Sequence, residues 1–180
     1  MLKKIVAIDS AYAERVARSL NFPHLPLRDI LLAIQNDDSV DILECLVTVN
    51  KRVPEDDSAA AIANVAWQIE QKQHALEMNG ARTIVCPTKR SQSSASGFKM
   101  SDDQRLMITT LSLCLRLRPD FLTFLAADGD YAPLIWELRD QGIRTEVVAR
   151  KEELASDLQR AAYNFVDLGR LLESIRSNKA

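Results

Sequence analysis

The feature that most constrains this chain is the regular alternation of short apolar runs with segments of helical spacing. The apolar runs lie at Lys3–Ile8, Asp41–Asn50, Thr83–Cys86, Phe121–Ala127 and Thr145–Val148. Each has the length of a strand, and several lack the polar face that a half-exposed strand shows. Such strands are typical of a mostly parallel sheet covered by helices on both sides. The sequence therefore predicts a three-layer α/β/α fold with a sheet of about five strands.

The segments between these runs carry helix signals. Leu27–Gln35 has one apolar face, and Gly80 is placed to end a long striped helix. Ser101 and Gln104 have the spacing of a capping box. Two further helical segments are predicted after the fifth strand, the last at about 167–176. We expect one domain over residues 1–180, with a mobile Ser-rich loop at about 88–98.

Composition limits the class of protein. The chain is 47% hydrophobic and 27% charged, which is ordinary for a globular domain, and its formal net charge is −2. A uniformly basic surface is excluded, so a polyanionic partner would need local basic groups. Cys45, Cys86 and Cys114 lie in apolar segments without zinc-ligand spacing, which predicts buried free thiols in a reducing cytoplasm. No stretch is long and apolar enough for a signal peptide or a bilayer span, so we expect no membrane contact.

Charged residues follow the predicted strands. Asp9 follows the first strand, and Asp128 and Asp130 follow the fourth. Ligands of an open parallel sheet bind beyond the carboxyl ends of the strands, where the strand order reverses. Basic pairs follow the three other strands: Lys51 and Arg52, Lys89 and Arg90, and Arg150 and Lys151. If the first and fourth strands are neighbours, the acids lie together and the basic pairs surround them.

Clustered carboxylates imply a cation. Like charges raise the pKa of neighbouring acids, so several carboxylates stay ionised together only beside a compensating charge. Mg²⁺ and Mn²⁺ prefer such hard oxygen ligands. A bound ion of this kind activates water and stabilises a leaving oxygen. This pattern favours phosphodiester hydrolysis.

Each acid also has a structural interpretation. Asp9 could cap the first helix, and Asp130 could be the N-cap of the helix that contains Pro133. Acids such as Asp102 and Asp103 are favoured in a first helical turn by the helix dipole. Asp128 is the hardest to explain structurally, because it follows a buried strand where a charge needs a partner.

Aromatic residues leave alternatives open. Tyr12 and Tyr131 flank the predicted acidic cluster and either stack on a base or are buried against the sheet. Trp67 and Trp136 lie in predicted helices, where packing is the expected role. Neither a dinucleotide-binding nor a P-loop motif is present in the sequence.

A family resemblance enters at Ala126-Ala-Asp-Gly-Asp-Tyr-Ala-Pro-Leu-Ile135. This segment resembles the S-G-D-G-D-F-x-P-L signature of NYN domains, the LabA-like branch of the PIN-like nucleases. Lys99 and Asp102 resemble the family's K-x-x-D at a helix start, and Asp9 matches its first acid. Most of the chain is covered in the right order.

The resemblance implies a PIN-like sheet in which the first and fourth strands are adjacent. It also implies a Mg²⁺- or Mn²⁺-dependent ribonuclease whose catalytic and metal-binding residues are Asp9, Asp102, Asp128 and Asp130. Spacing from Lys99 favours Asp102 over Asp103 as the second acid. The expected substrate is single-stranded or structured RNA, bound by the basic residues Lys51, Arg52, Lys89, Arg90, Lys99, Arg150 and Lys151.

Three departures from the family pattern indicate a weakened site. The family's D-x-x-N becomes Asp9-Ser-Ala-Tyr12, its Ser-Gly pair becomes Ala126-Ala127, and a further acid falls at Ile108. Losses of supporting groups around a metal commonly cost 10–100-fold in activity. The alternative function is therefore an RNA-binding or regulatory relative, acting as a homodimer if the Leu168–Ile175 stripe is an interface.

Overall fold

The computed structural model describes residues 1–35, 39–51, 54, 58–90, 98–99 and 101–178, with backbone only at 89, 90, 98 and 99. The strands are β1 (Leu2–Ile8), β2 (Val40–Lys51), β3 (Arg82–Pro87), β4 (Lys89–Arg90), β5 (Phe98–Lys99), β6 (Phe121–Leu125), β7 (Arg144–Ala149) and β8 (Asn164–Asp167). The helices are α1 (Ser10–Ser19), α2 (Leu27–Gln35), α3 (Ala59–Glu77), α4 (Asp102–Leu117), α5 (Ala132–Asp140), α6 (Ser156–Ala161) and α7 (Leu168–Ser177).

The main sheet has six parallel strands in the order β3-β2-β1-β6-β7-β8. The fold class and the neighbouring positions of β1 and β6, the first and fourth strands of the prediction, are confirmed. Their register pairs Ile5 with Leu122 and Ile8 with Leu125. From this central pair the chain winds outward in both directions, so the reversal of strand order falls between β1 and β6.

Helices cover both faces of the sheet. On one face α7 packs on α1 and α2, and Lys72 of α3 forms an ion pair at 2.5 Å with Glu14 of α1. On the other face α5 packs between α4 and α6. The residues of β1 from Ile5 to Ile8 are fully buried, because this strand is covered from both sides. Gly80 and Gly142 follow α3 and α5 with φ of 85° and 81°, which is the left-handed conformation expected at a helix end.

The structure differs from the local predictions at three places. The two helical segments predicted after β7 are present as α6 and α7, but β8, which was not predicted, lies between them and raises the strand number from about five to six. Ser101 precedes α4 without a capping hydrogen bond from its side chain. The predicted loop at 88–98 begins and ends in a two-stranded antiparallel ribbon, β4 with β5, in which Lys89 pairs with Lys99. Residues 91–97, the centre of that loop, lie outside the described part of the chain.

The prediction for the cysteines is confirmed, because all three are free and buried. Within the described residues, no helix is both long and apolar enough to cross a bilayer. Leu168, Leu172 and Ile175 of α7 are buried in the chain's own core, so this stripe is intramolecular rather than a free dimerisation surface.

Candidate active site

Asp9 connects β1 to α1 at the centre of the sheet's carboxyl edge. Its backbone N–H donates to the carbonyl of Leu125 in the neighbouring strand at 3.0 Å. Its Oδ1 accepts hydrogen bonds from the backbone N–H groups of Ala11 at 3.0 Å and Tyr12 at 3.2 Å. Burial raises the pKa of Asp9 to about 6, and the charges of Asp103 and Asp102 add to this effect. Asp9 is thus a helix cap and also a member of an acidic cluster.

Asp102 and Asp103 enter this cluster from the first turn of α4. Asp102 is only 5% exposed, and its Oδ2 accepts a hydrogen bond at 2.8 Å from the Asn50 amide at the end of β2. Burial raises the pKa of Asp103, and repulsion from Asp102 and Asp128 contributes, although a hydrogen bond from Tyr131 acts in the opposite direction. Asp103 therefore faces the Asp-Gly-Asp segment, and Asp102 lies between Asp9 and the end of β2. Sequence reasoning missed Asn50, since a lone amide at a strand end carries no motif.

The Asp-Gly-Asp segment forms a single 3₁₀ turn, Gly129–Tyr131, beyond the end of β6. Asp128 caps this turn, and its Oδ1 accepts a hydrogen bond at 3.0 Å from the backbone N–H of Asp130. Both carboxylates are exposed. The expectation that Asp128 is buried at a strand end was wrong, because β6 already stops at Leu125. The N-cap of α5 is Tyr131 rather than Asp130.

Two buried tyrosines, Tyr131 and Tyr12, lie beside the acidic cluster. Tyr131 is fully buried, packs edge-to-face on Phe124 at 4.8 Å between ring centroids, and donates its hydroxyl to Asp103 Oδ1 at 2.5 Å. Tyr12 is 7% exposed, and its hydroxyl accepts a hydrogen bond at 2.8 Å from the backbone N–H of Arg150. Of the two interpretations open for these rings, burial is confirmed, and base stacking on either ring is excluded in this conformation.

Gly129 is the point of closest approach between the 3₁₀ turn and the segment that leads from β7 to α6. A Cβ added at Gly129 would lie 3.3 Å from the Cβ of Ala155. The two segments are also joined by a hydrogen bond at 3.0 Å from Ala155 N–H to the Ala127 carbonyl. Because Gly129 has no side chain, the turn that carries Asp128 and Asp130 can lie this close to Ala155.

Comparison with known proteins identifies the family. The family model of the NYN domain matches residues 6–172. This chain belongs to the NYN family. NYN domains are part of the PIN-like nuclease superfamily and are generally nucleases. No curated protein matches the sequence at a significant level.

One solved structure supports the fold of this NYN domain. A protein of unknown function, VPA0982, from Vibrio parahaemolyticus RIMD 2210633 superposes with a TM-score of 0.66 and 15% identity, covering 92% of this chain and 91% of its own. A Listeria monocytogenes protein provisionally assigned as a UDP-N-acetylglucosamine 2-epimerase reaches a TM-score of 0.46 and 9% identity, covering 99% of this chain and 43% of its own. The first likeness shows a shared fold, and the second is too distant to support any inference.

The predicted RNA-binding residues of this NYN domain lie at the same edge of the sheet as the acids. Lys51 ends β2 and is exposed, and its carbonyl accepts a hydrogen bond at 3.3 Å from Thr88 N–H. This contact joins β2 to the β4–β5 ribbon, whose backbone carries Lys89, Arg90 and Lys99. Arg52 lies outside the described residues.

The Arg150-Lys151 pair has a different environment. The guanidinium of Arg150 lies 3.2 Å from a carboxylate oxygen of Glu152 and 3.9 Å from one of Glu153, which also pairs with Arg15 at 2.8 Å. Lys151 is exposed. The charge of Arg150 is therefore already partly compensated within the chain, which leaves Lys151 as the more available cation of the pair.

The oxygen donors at the acidic edge match the chemistry of a hard divalent ion. Carboxylates with a supporting amide are the donors that Mg²⁺ and Mn²⁺ favour. Among the described residues, no three acidic, His or Cys side chains converge closely enough to hold one ion by themselves. Mg²⁺ is commonly bound through one or two carboxylates together with waters and substrate phosphates, so this spacing fits an ion that the substrate helps to bind.

Proposed function

We propose that this NYN domain is a Mg²⁺- or Mn²⁺-dependent endoribonuclease of the LabA-like branch that acts in the cytoplasm. The proposed metal-binding and catalytic acids are Asp9, Asp102, Asp128 and Asp130, with Asp103 as a further member. The observation that supports it best is the state of Asp9. Burial and the adjacent acids raise its pKa to about 6, which is the environment that a bound cation would relieve.

The contacts of these acids suggest a division of roles. Two backbone N–H groups fix the carboxylate of Asp9, and the Asn50 amide orients Asp102. Asp128 and Asp130 are exposed and face the side from which a phosphate can approach. A divalent ion held by these oxygens would neutralise the phosphate charge and lower the pKa of a bound water. The chain's part is to hold the acids in place before the substrate arrives.

Basic residues would hold the RNA backbone around the cleavage position. Lys51 and the ribbon that carries Lys89, Arg90 and Lys99 lie at one side of the acids, and Arg150 and Lys151 lie at the other. Contacts of this kind bind phosphates without reading sequence. They would allow the protein to bind RNA although its formal net charge is −2.

Asp128→Asn tests the proposal, because it removes one exposed carboxylate and keeps the side chain's shape. We expect Mn²⁺-dependent cleavage of RNA by the wild type, and a decrease by orders of magnitude in the variant. Millimolar Mn²⁺ should raise the melting temperature of the wild type more than that of the variant, since the folded state alone binds the ion. Asp167→Asn is the matched control, because Asp167 also caps a helix after a strand but lies outside the cluster.

Two results would count against the nuclease proposal or against the specificity of its test. Wild-type protein that leaves varied RNAs intact in Mn²⁺ and melts identically in Mn²⁺ and EDTA would rule out the nuclease proposal. Loss of cleavage in Asp167→Asn as well would show that the loss in Asp128→Asn is not specific to the acidic cluster.

A second candidate is an NYN-type RNA-binding protein that has lost efficient cleavage. The environment of Tyr12 favours it, because the residue that replaces the family's Asn is buried with its hydroxyl bonded to the Arg150 backbone. Ala126 and Ala127 are likewise buried and apolar. This candidate predicts RNA binding without cleavage, and binding that is equal or tighter in Asp128→Asn because the repulsion of phosphate is reduced.

A further inference from the structure

The surface between α5 and α6, here called the α5–α6 groove, contains two cavities. The first, of about 620 Å³, begins at Asp130 of the acidic cluster and includes Trp136 and the ion pair of Asp157 with Arg160. The second, of about 390 Å³, includes Arg139, Arg144 and Tyr163. Arg139 of the second cavity lies over the ring of Trp136, which lines the first, so the two cavities lie beside each other along α5. The nine residues of α5 span about 13 Å. The groove thus extends from the catalytic edge towards the opposite end of the sheet.

The far cavity is cationic. Arg139 and Arg144 are its only charged lining residues in the part of the chain that the structure describes, and neither forms an ion pair there. Both are exposed. Two positive charges without a described counterion make this cavity suitable for an anionic group.

Aromatic rings accompany these charges. The guanidinium carbon of Arg139 lies 5.2 Å from the centroid of the Trp136 ring, and that of Arg144 lies 5.1 Å from the centroid of Tyr163. Trp136 is 44% exposed and Tyr163 is 64% exposed, so both rings can be reached from solvent. The expectation that Trp136 is a packing residue was wrong for this reason. Proteins bind single-stranded nucleic acid with exposed aromatic rings, on which bases stack, and with nearby arginines, which contact phosphates.

We propose that the α5–α6 groove binds single-stranded RNA that flanks the scissile phosphate, with phosphates on Arg139 and Arg144 and bases on Trp136 and Tyr163. The proposal rests on the proposed function, because the groove begins at an acid of the candidate active site. It adds a second anchoring surface on the face of the sheet that carries α4, α5 and α6. The ribbon of β4 and β5, at the opposite side of the acids, would hold the other flank.

Arg139→Gln tests the charge. We expect RNA binding to weaken and the slope of log K against log salt to decrease by about 0.7, the contribution of one phosphate contact with a single strand. Arg28→Gln, which changes the same charge on exposed α2 across the sheet, should leave both unchanged. In Mn²⁺, Arg139→Gln should raise KM for long RNAs more than for RNAs too short to reach Tyr163.

The failure of this proposal can be told from failure of the nuclease. If wild type cleaves RNA while Arg139→Gln matches it in affinity, salt slope and KM, the groove proposal is overturned and the nuclease stands. If wild type cleaves nothing but its RNA affinity depends on Arg139, the groove proposal stands without catalysis. Absence of any binding to single-stranded RNA would overturn it as well.

Discussion

Asp9→Asn in the metal-free protein should stabilise the fold. The pKa of Asp9 is raised from 3.8 to about 6, chiefly by burial and then by the neighbouring acids. One pKa unit corresponds to about 1.4 kcal/mol, so the ionised carboxylate costs up to about 3 kcal/mol above pH 6. Asn is as good an N-cap as Asp, so the hydrogen bonds from Ala11 and Tyr12 can be kept. We expect a gain of about 1–3 kcal/mol at pH 8.

The free energy of unfolding should depend on pH in a direction that follows from the raised pKa of Asp9. A carboxyl group with a raised pKa binds its proton more tightly in the folded state, so its contribution favours folding below pH 3.8 and is lost as the pH rises through about 6. The variant has no such loss. The stability difference between variant and wild type should therefore increase from near zero at pH 4 to its full value at pH 8.

Urea denaturation in EDTA at several pH values measures this difference. Asp167→Asn serves as the control, since it changes an N-cap of similar burial away from the cluster and should show no stabilisation that increases with pH. Adding Mn²⁺ should reverse the order, because the wild type gains more from the ion. A destabilised Asp9→Asn at pH 8 would refute the reasoning, since it would show that the negative charge of Asp9 stabilises the folded state by more than its burial costs.

Two further predictions concern other charges. Replacing Lys89 and Arg90 together by Ala should weaken single-stranded RNA binding and reduce the salt slope by about 1.4; an unchanged slope in fluorescence anisotropy would place the β4–β5 ribbon outside the RNA path. Burial would raise the pKa of Glu146, but Lys4 at 2.8 Å and hydrogen bonds from Asn164 and Thr123 hold it below its ordinary value. Glu146→Gln should therefore cost about 2–4 kcal/mol at pH 7, where Lys4 is left uncompensated. The deficit should shrink below pH 4.5 as Glu146 of the wild type is protonated, and a pH-independent deficit would contradict this account.

The arrangement of strands and helices could be predicted because it depends on the local pattern of apolar residues. Apolar runs that alternate with striped helices fix the layers, and the order of acids and basic pairs along the chain places them at one edge of a parallel sheet. β8 was missed because it contributes only Phe165 and Val166 as apolar residues, too few to distinguish a short edge strand from the start of a helix. The pairing of β8 with β7 is a tertiary property that its own sequence does not encode.

The details of the site depend on neighbours that are distant in sequence. Asn50 becomes part of the site only because the end of β2 lies beside the start of α4, where its partner Asp102 is 52 positions away in the chain. Trp136 was expected to pack, but its position on the solvent side of α5 leaves it 44% exposed. The exposure of Asp128 follows from β6 stopping three residues before it, and strand ends are the least certain part of a sequence-based assignment.

Because of the contact between Gly129 and Ala155, the side chain that each of these two positions can accept depends on the other. A methyl group at 129 would lie 3.3 Å from the Ala155 Cβ, so it could be accommodated only if the β7–α6 segment gave way by a few tenths of an ångström. Any larger side chain at either position would move the turn that carries Asp128 and Asp130. We therefore expect relatives that keep glycine at the position of Gly129 to keep a small residue at the position of Ala155. This restriction would preserve the spacing of the aspartates while the surrounding sequence diverges.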